Sequence, residues 1–153
     1  MGFQFSWVLV NKLALGRAPR QPEDLQCLEQ AGLRSVLSLC SREEAALPPD
    51  AETRFRCHRV ALPDPRKGLA PLPQQLRAAV AELDSLLLSG PVYLHCVAGM
   101  ERSPLVAMAW LMQHRRMDLH AALVYLSEVH PASRPQVDQL AALQACGFGA
   151  QAV

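Results

Sequence analysis

Two residues in the middle of the chain have the types and the spacing that phosphoryl transfer requires. Cys96 follows the apolar run 92–95, and Arg102 comes after five intervening residues, with Ser103 directly behind it. A thiolate is a strong nucleophile, and a guanidinium carries a planar pair of donors that matches two phosphate oxygens. The pattern predicts that Cys96 accepts a phosphoryl group while Arg102 binds its oxygens. The alternative is an inert, buried Cys96 and a surface Arg102.

The residues that follow Cys96 are predicted to bind the phosphate. They lie between a predicted buried strand and a predicted helix, 103–115, whose N-terminus points back into the loop. Backbone N–H groups of such a loop converge on one point, and the helix dipole adds partial positive charge there. The same field favours the thiolate form of Cys96. The predicted substrate-binding residues are Val97, Ala98, Gly99, Met100, Glu101 and Arg102.

The segment His95-Cys96-x5-Arg102-Ser103 resembles the signature of the cysteine-dependent protein tyrosine phosphatases, and the small chain resembles their dual-specificity branch. The resemblance covers about residues 7–146. It implies that Cys96 is the nucleophile, that Arg102 clamps the phosphate, and that the Ser103 hydroxyl steadies the thiolate as it leaves. Glu101 departs from the family pattern, in which a small or polar residue is common. We expect its carboxylate to point outward, toward a basic neighbour.

A loop with two prolines, 63–68, places Asp64 at 32 residues before Cys96. In the resembled family, a mobile loop at about this distance carries an aspartate that protonates the leaving alcohol. The chemistry needs such a group because an alkoxide leaves poorly without a proton. Asp64 is the only carboxylate between Glu52 and Glu82. The resemblance therefore implies that Asp64 is the general acid, and the alternative is a turn-forming aspartate before a proline.

The elements that must position these residues follow from hydrophobic periodicity and from the breaker residues. Strands are predicted at 5–10, 12–16, 35–40, 54–62 and 92–95. Helices are predicted at 22–31, 42–47, 72–88, 103–115, 118–129 and 136–146. Alternating strands and helices predict a three-layer α/β fold, with a mixed sheet of about five strands between helices. The phosphate site is then expected at the carboxyl end of strand 92–95.

Composition limits the class of protein. The chain has 153 residues, of which 19% are charged, and its formal net charge is +1. These values predict one folded domain, 1–153, which the resemblance implies is a phosphatase domain, and they argue against disorder and against nucleic-acid binding. No apolar run is long enough to span a membrane. The five cysteines, at 27, 40, 57, 96 and 146, form no close pair, which favours reduced thiols in the cytoplasm over disulfides or a zinc site.

No metal or cofactor is predicted, because Arg102 and the loop amides can supply the charge stabilisation. We also expect a monomer. The histidines outside the signature show no metal-ligand spacing and are predicted to be structural or surface residues: His58, His114, His120 and His130.

Three functions remain open from the sequence. The favoured one is a phosphatase of phosphoproteins that accepts phosphotyrosine and phosphoserine or phosphothreonine. The second is a phosphatase of a non-protein substrate, such as a phosphoglucan, a phosphoinositide or an RNA 5′-phosphate. The segment Cys96-x-Ala98-Gly99-x-x-Arg102 partly matches the glucan-phosphatase variant of the motif, but Glu101 replaces its second glycine. The third is a phosphate-binding module without turnover, which the presence of Cys96, Arg102 and Asp64 disfavours.

Overall fold

The computed structural model describes residues 2–149, and a five-stranded mixed sheet forms its centre. In chain order the strands are β1 (Phe5–Leu9), β2 (Leu13–Gly16), β3 (Ser35–Ser38), β4 (Arg56–Arg59) and β5 (Val92–His95). Across the sheet they lie in the order β1-β2-β5-β3-β4. β1 pairs antiparallel with β2, whereas the other neighbouring strands are parallel. The strand that leads into Cys96 is therefore the central one.

Helices cover both faces of this sheet. They are α1 (Pro22–Gln30), α2 (Ala51–Arg54), α3 (Pro73–Leu87), α4 (Arg102–Arg115), α5 (Leu119–Val129) and α6 (Val137–Ala145), and a short 3-10 helix spans Pro65–Lys67. α1 and α2 contribute to the apolar core on one face, and α3 to α6 contribute to the core on the other. The predicted three-layer α/β fold with about five strands is confirmed.

The side chains of β5 alternate between the two cores, as the twofold period of a strand requires. Val92 and Leu94 pack with the helices α3 to α6, and Tyr93 packs with α1 on the opposite face. All three side chains are fully buried. Burial of a large apolar side chain contributes about 1.5–3 kcal/mol, so the central strand anchors both layers.

The helix predicted at 42–47 is wrong. This segment forms a turn, in which the Glu44 amide donates to Ser41 Oγ and the Glu44 carboxylate accepts from the Ser41 amide. These reciprocal bonds form a capping box, which starts a single helical turn, but the two prolines at 48 and 49 prevent its extension. A helix forms only after the prolines, as the unpredicted α2.

Two predicted strands, 35–40 and 54–62, are longer than β3 and β4. Arg54 belongs to α2 instead of the strand, but residues beyond the carboxyl ends of β3 and β4 still form backbone hydrogen bonds along the sheet. The Leu39 amide donates to the His95 carbonyl at 2.8 Å, and the Leu62 amide donates to the Leu39 carbonyl at 2.9 Å. These bonds bring the segments that follow β3 and β4 toward the end of β5.

The three central strands end at the same level. Gly16 of β2 and Ser38 of β3 are both paired with His95, the last residue of β5. The carboxyl ends of parallel strands form the crevice in which α/β proteins bind ligands. The chain after β2, the turn after β3 and the loop after β5 therefore meet at one edge, where the sequence places the phosphate site.

Candidate active site

Four carbonyl groups of the loop 96–101 accept hydrogen bonds from residues outside the loop. His95 Nδ1 donates to the Cys96 carbonyl at 2.8 Å, and the Ala18 amide donates to the Val97 carbonyl at 3.0 Å. His130 Nε2 donates to the Gly99 carbonyl at 2.7 Å, and the Arg134 amide donates to the Met100 carbonyl.

In a trans peptide the C=O and the following N–H point in opposite directions. The N–H groups of Val97, Ala98, Met100 and Glu101 therefore lie on the inner side of the loop.

This arrangement suits a phosphate-binding loop. Within residues 2–149, none of those four N–H groups donates to a backbone acceptor. The inner donors remain available for a bound anion, and the N-terminus of α4 adds its partial positive charge at the same place. The predicted substrate-binding residues, 97–101, are thus brought together around one point.

Gly99 has to be a glycine for two reasons. Its φ of 73° lies in the left-handed region, which other residues rarely adopt. A Cβ at this position would also lie 2.5 Å from the carbonyl carbon of Gly16 and 2.7 Å from its oxygen. The loop therefore packs directly against the backbone at the end of β2.

Cys96 lies at the base of the loop and is 2% exposed. Its Sγ is 3.3 Å from the Oγ of Ser103, which is fully buried in the first turn of α4. A hydroxyl at this distance can donate a hydrogen bond to a thiolate. The structure brings the predicted nucleophile and its predicted hydroxyl partner into direct contact.

His95 is a neutral, fully buried residue that orients the start of the loop. Burial lowers the pKa of His95 to about 4. Nδ1 carries the proton that is donated to the Cys96 carbonyl, so Nε2 accepts from Ser38 Oγ, which lies 2.6 Å away. The histidine of the signature thus ties Cys96 to β3.

Arg102 is 3% exposed, and one end of its guanidinium is already bound. Nη2 lies 2.8 Å from Glu44 Oε1, Nη1 lies 3.0 Å from Glu44 Oε2, and Nη1 also donates to the Leu62 carbonyl at 3.2 Å. These bonds use three of the five N–H groups. Within residues 2–149, the Nε–H and the second hydrogen of Nη2 have no acceptor. These two donors form one side of the guanidinium, which is the geometry that binds two phosphate oxygens.

Glu44 is the residue of this site that sequence reasoning missed. Its carboxylate accepts from the Ser41 amide as well as from Arg102, and the hydrogen bonds from Arg102 hold its pKa below the ordinary value. One signal was available. A buried arginine needs a carboxylate partner, and Glu43 and Glu44 follow a strand that ends at the site.

Asp64 lies beside the site but is bound to Arg66. Its carboxylate accepts from the Arg66 amide at 2.9 Å and from Arg66 Nη2 at 2.9 Å. Hydrogen bonds from the Arg66 side chain lower the pKa of Asp64 to about 2. The structure therefore does not place Asp64 in contact with Cys96, and in this arrangement the carboxylate holds no proton at neutral pH.

Glu101 turns toward α6 and away from the inner face of the loop. Its Oε2 accepts from Gln136 Nε2 at 3.4 Å. Its hydrogen-bond partner is a neutral amide, and its negative charge also helps to raise the pKa of Arg66, the basic residue near it.

Two further observations concern the described residues. Residues 2–149 contain no group of three or more His, Cys, Asp or Glu side chains arranged to hold a metal ion. None of the helices in this range has the length and apolar character needed to cross a membrane.

Comparisons with known proteins agree with this geometry. The family described as "Dual specificity phosphatase, catalytic domain" matches residues 13–147. The phosphatidylglycerophosphate phosphatase PTPMT2 of Arabidopsis thaliana is 26% identical over 150 residues, which are 92% of this chain and 65% of that protein. Dual specificity protein phosphatase 2 of Homo sapiens is 30% identical over 106 residues, which are 69% of this chain and 32% of that protein. The chain thus spans between about a third and two thirds of the length of these relatives.

Solved structures share the fold over nearly the whole chain. Tk-PTP in its active form superposes with a TM-score of 0.81 at 22% identity and covers 95% of this chain and 97% of its own. A single-residue variant of human DUSP28 superposes with a TM-score of 0.79 at 23% identity, covering 98% of each chain. The family match extends from β2 to the end of α6 and includes the loop around Cys96. The chain belongs to the dual-specificity phosphatase family, through the catalytic domain of that family.

Proposed function

We propose that the protein hydrolyses phosphomonoesters through a phospho-cysteine intermediate on Cys96. The observation that carries this proposal is that residues 96–102 bring together three features: the Cys96 sulfur, the inward N–H groups of the loop 97–101, and the Arg102 guanidinium with one side free. Each of them fits a different part of a bound phosphoryl group.

In the first step the Cys96 thiolate attacks phosphorus, and the bond from phosphorus to the ester oxygen breaks. The leaving oxygen takes a proton from Asp64, so that the substrate departs as an alcohol. Arg102 and the loop amides bind the phosphoryl oxygens throughout. In the second step Asp64, now a carboxylate, takes a proton from water as the water oxygen attacks phosphorus. The S–P bond breaks, inorganic phosphate forms, and Ser103 donates to the restored thiolate.

For Asp64 to act as the acid, the loop around it must rearrange. The carboxylate is bound by Arg66 in the structure, and an ionised aspartate cannot donate a proton. The proposal therefore includes the release of Asp64 from Arg66 when substrate binds. The loop that carries both residues contains a 3-10 helix of three residues, which is easily rearranged.

We propose phosphoproteins as the substrate class, with both phosphotyrosine and phosphoserine or phosphothreonine accepted. The similarity to human dual specificity protein phosphatase 2 supports this choice. A lipid substrate is the second candidate, because the Arabidopsis relatives are named as phosphatidylglycerophosphate phosphatases. We also propose that residues 1–153 act as one domain, as a cytoplasmic monomer, without a metal or another cofactor.

The experiment that tests the proposal compares turnover of several substrate classes by the same preparation. These are phosphotyrosine and phosphoserine peptides, phosphatidylglycerophosphate, a phosphoinositide, a phosphoglucan and an RNA 5′-phosphate, each with and without a chelator. Release of phosphate from peptides at the highest kcat/KM supports the proposal. Faster release from a lipid selects the second candidate. Tight binding of vanadate without turnover of any substrate identifies a phosphate-binding module.

A further inference from the structure

His130 links three parts of the chain that are far apart in sequence. It follows α5 directly and is 8% exposed. Nε2 lies 2.7 Å from the carbonyl oxygen of Gly99, and Nδ1 lies 2.7 Å from Oγ of Ser6 in β1. The imidazole therefore bridges the first strand of the sheet and the loop that contains Cys96.

The two contacts define which ring nitrogen carries the proton in the neutral imidazole. A carbonyl oxygen can only accept, so Nε2 must donate to Gly99. Nδ1 is then the acceptor, and the Ser6 hydroxyl donates to it. Because the ring is buried, a different tautomer would leave two polar groups facing each other without a hydrogen bond. Ser6 thereby holds His130 in the form that can bind the Gly99 carbonyl.

The Gly99 carbonyl is the one that most needs an external partner. Glycine has the widest conformational freedom of all residues, and Gly99 already adopts a positive φ. Rotation of the peptide between Gly99 and Met100 would turn a carbonyl oxygen toward the phosphate site and remove the Met100 N–H from it. The hydrogen bond from His130 opposes this rotation.

The neighbouring carbonyls are held differently. Those of Val97 and Met100 accept from the backbone amides of Ala18 and Arg134, and that of Cys96 accepts from the adjacent His95. In this set, His130 is the side chain that reaches the loop from a distant element. A substitution can therefore remove its contribution alone.

We infer that His130 is a positioning residue, which keeps the loop of residues 96–101 in its anion-binding conformation by holding the Gly99 carbonyl outward. The inference rests on the proposed function, because it concerns the same phosphate site. It assigns His130 a role in oxyanion binding without any contact between His130 and the substrate.

Two substitutions at His130 test this inference. The side-chain amide of asparagine lies where Nδ1 of histidine lies, and that of glutamine lies where Nε2 lies. His130→Asn keeps the contact with Ser6 but loses the donor to Gly99, whereas His130→Gln retains that donor. We expect His130→Asn to weaken vanadate binding and to lower kcat/KM for an aryl phosphate, each by about 10–100-fold, by analogy with residues that orient the ligands of metal sites. His130→Gln should recover most of both losses. His120→Asn, on the exposed face of α5, is the matched control and should change neither.

Thermal unfolding, measured alongside, separates positioning from stability. A folded His130→Asn variant that binds vanadate like the wild type overturns the inference, and so do equal losses in the asparagine and glutamine variants. Wild-type protein that binds vanadate but turns over no substrate counts against the proposed function alone, since the vanadate comparison still tests His130.

A measurement on the wild type covers the case in which His130→Asn does not fold. Long-range ¹H–¹⁵N NMR spectra distinguish the two neutral tautomers of a histidine ring. The inference requires the proton on Nε2 of His130, and this signal should shift when vanadate binds. A neutral ring with its proton on Nδ1 overturns it.

Discussion

The carboxylate of Glu44 forms a bidentate ion pair with the two terminal nitrogens of Arg102. Nη2 lies 2.8 Å from Oε1, and Nη1 lies 3.0 Å from Oε2. The pair joins the turn after β3 to the first residue of α4. Because it uses only the terminal N–H groups of Arg102, it fixes the direction of the guanidinium and leaves one side free. We therefore expect Glu44 to position Arg102 for the proposed contact with phosphate without competing with phosphate for it.

Glu44→Gln should lower kcat/KM for an aryl phosphate by about tenfold or more. Glutamine keeps the size of the side chain but presents an NH₂ group to one of the arginine donors, so the bidentate contact is lost and Arg102 is less well oriented. Steady-state kinetics measure this effect. Glu43→Gln is the matched control, because Glu43 is exposed and adjacent. Equal kinetics of the two variants would exclude a positioning role for Glu44.

The same pair makes stability depend on pH in a defined direction. The pKa of Glu44 is lower in the folded protein than its ordinary value, because Arg102 donates hydrogen bonds to it. Its contribution to the free energy of unfolding is therefore present at neutral pH and is lost as the pH falls through the folded-state pKa. The stability difference between the wild type and Glu44→Gln, measured by urea unfolding, should shrink in acid.

Cys96→Ser should abolish turnover of an aryl phosphate while vanadate or phosphate still binds. Serine keeps the shape of the side chain, but its hydroxyl is almost un-ionised at neutral pH, so the nucleophile is lost and the loop amides remain. Turnover is followed by phosphate release and binding by calorimetry. Activity within tenfold of the wild type is incompatible with a phospho-cysteine intermediate.

Arg102→Lys should lower both oxyanion affinity and kcat/KM by at least about a hundredfold. Lysine keeps the positive charge but has neither the end that binds Glu44 nor the side that is free for phosphate. Arg115→Lys, at the exposed end of the same helix, is the control. Near-normal kinetics of Arg102→Lys would mean that charge alone is sufficient and that the planar fork is not used.

Asp64→Asn should slow phosphopeptide hydrolysis by about 10²–10⁴, the usual contribution of acid–base catalysis. Asparagine cannot donate a proton to the basic alkoxide or phenoxide that leaves. An activated aryl phosphate, whose leaving group needs no proton, should slow far less in the bond-breaking step. The basic limb of the pH–rate profile, which reports the protonated acid, should flatten. Equal slowing for all leaving groups would instead indicate that Asp64 maintains the conformation of its loop.

Arg66→Ala should shift the basic limb of that profile to higher pH. The Arg66 side chain holds the pKa of Asp64 at about 2, and without it the pKa returns toward the ordinary value of 3.8. The acid then stays protonated over a wider range, which favours leaving-group departure. Lys67→Ala, at the neighbouring exposed position, is the control. Because substrate binding is proposed to release Asp64 from Arg66, the shift is expected in the kcat/KM profile, which reports the free enzyme. An unchanged kcat/KM profile would show that Arg66 does not lower the pKa of Asp64 in the free enzyme.

The fold could be predicted because its signals in the sequence are local. The apolar run of β5 and the amphipathic period of α3 are visible in short windows, and Pro22 correctly predicts the start of α1. The residues 96–103 could be assigned to one site because they are contiguous. The residues that contact this segment and hold it in place are distant from it in the sequence.

Glu44 and His130 are residues whose place in the site could not be predicted from the sequence. The pattern around Glu44 predicts a helix, but Pro48 and Pro49 end it after one turn, and Glu44 pairs with the buried Arg102, 58 residues away. His130 is predicted only to be structural or at the surface, since a lone histidine has no spacing pattern to interpret. Its two partners are 124 and 31 residues away, so only the folded chain shows them together.

The contact between Gly99 and Gly16 has a consequence for how activity returns during refolding. The loop 96–101 rests on the backbone at the end of β2, and two of its carbonyls accept from amides in the first and the last parts of the chain, those of Ala18 and Arg134. Contacts between such distant segments form late, because closing long loops is entropically costly. We therefore expect the loop to bind vanadate only once the N-terminal hairpin has docked, so that recovery of vanadate binding follows formation of the sheet.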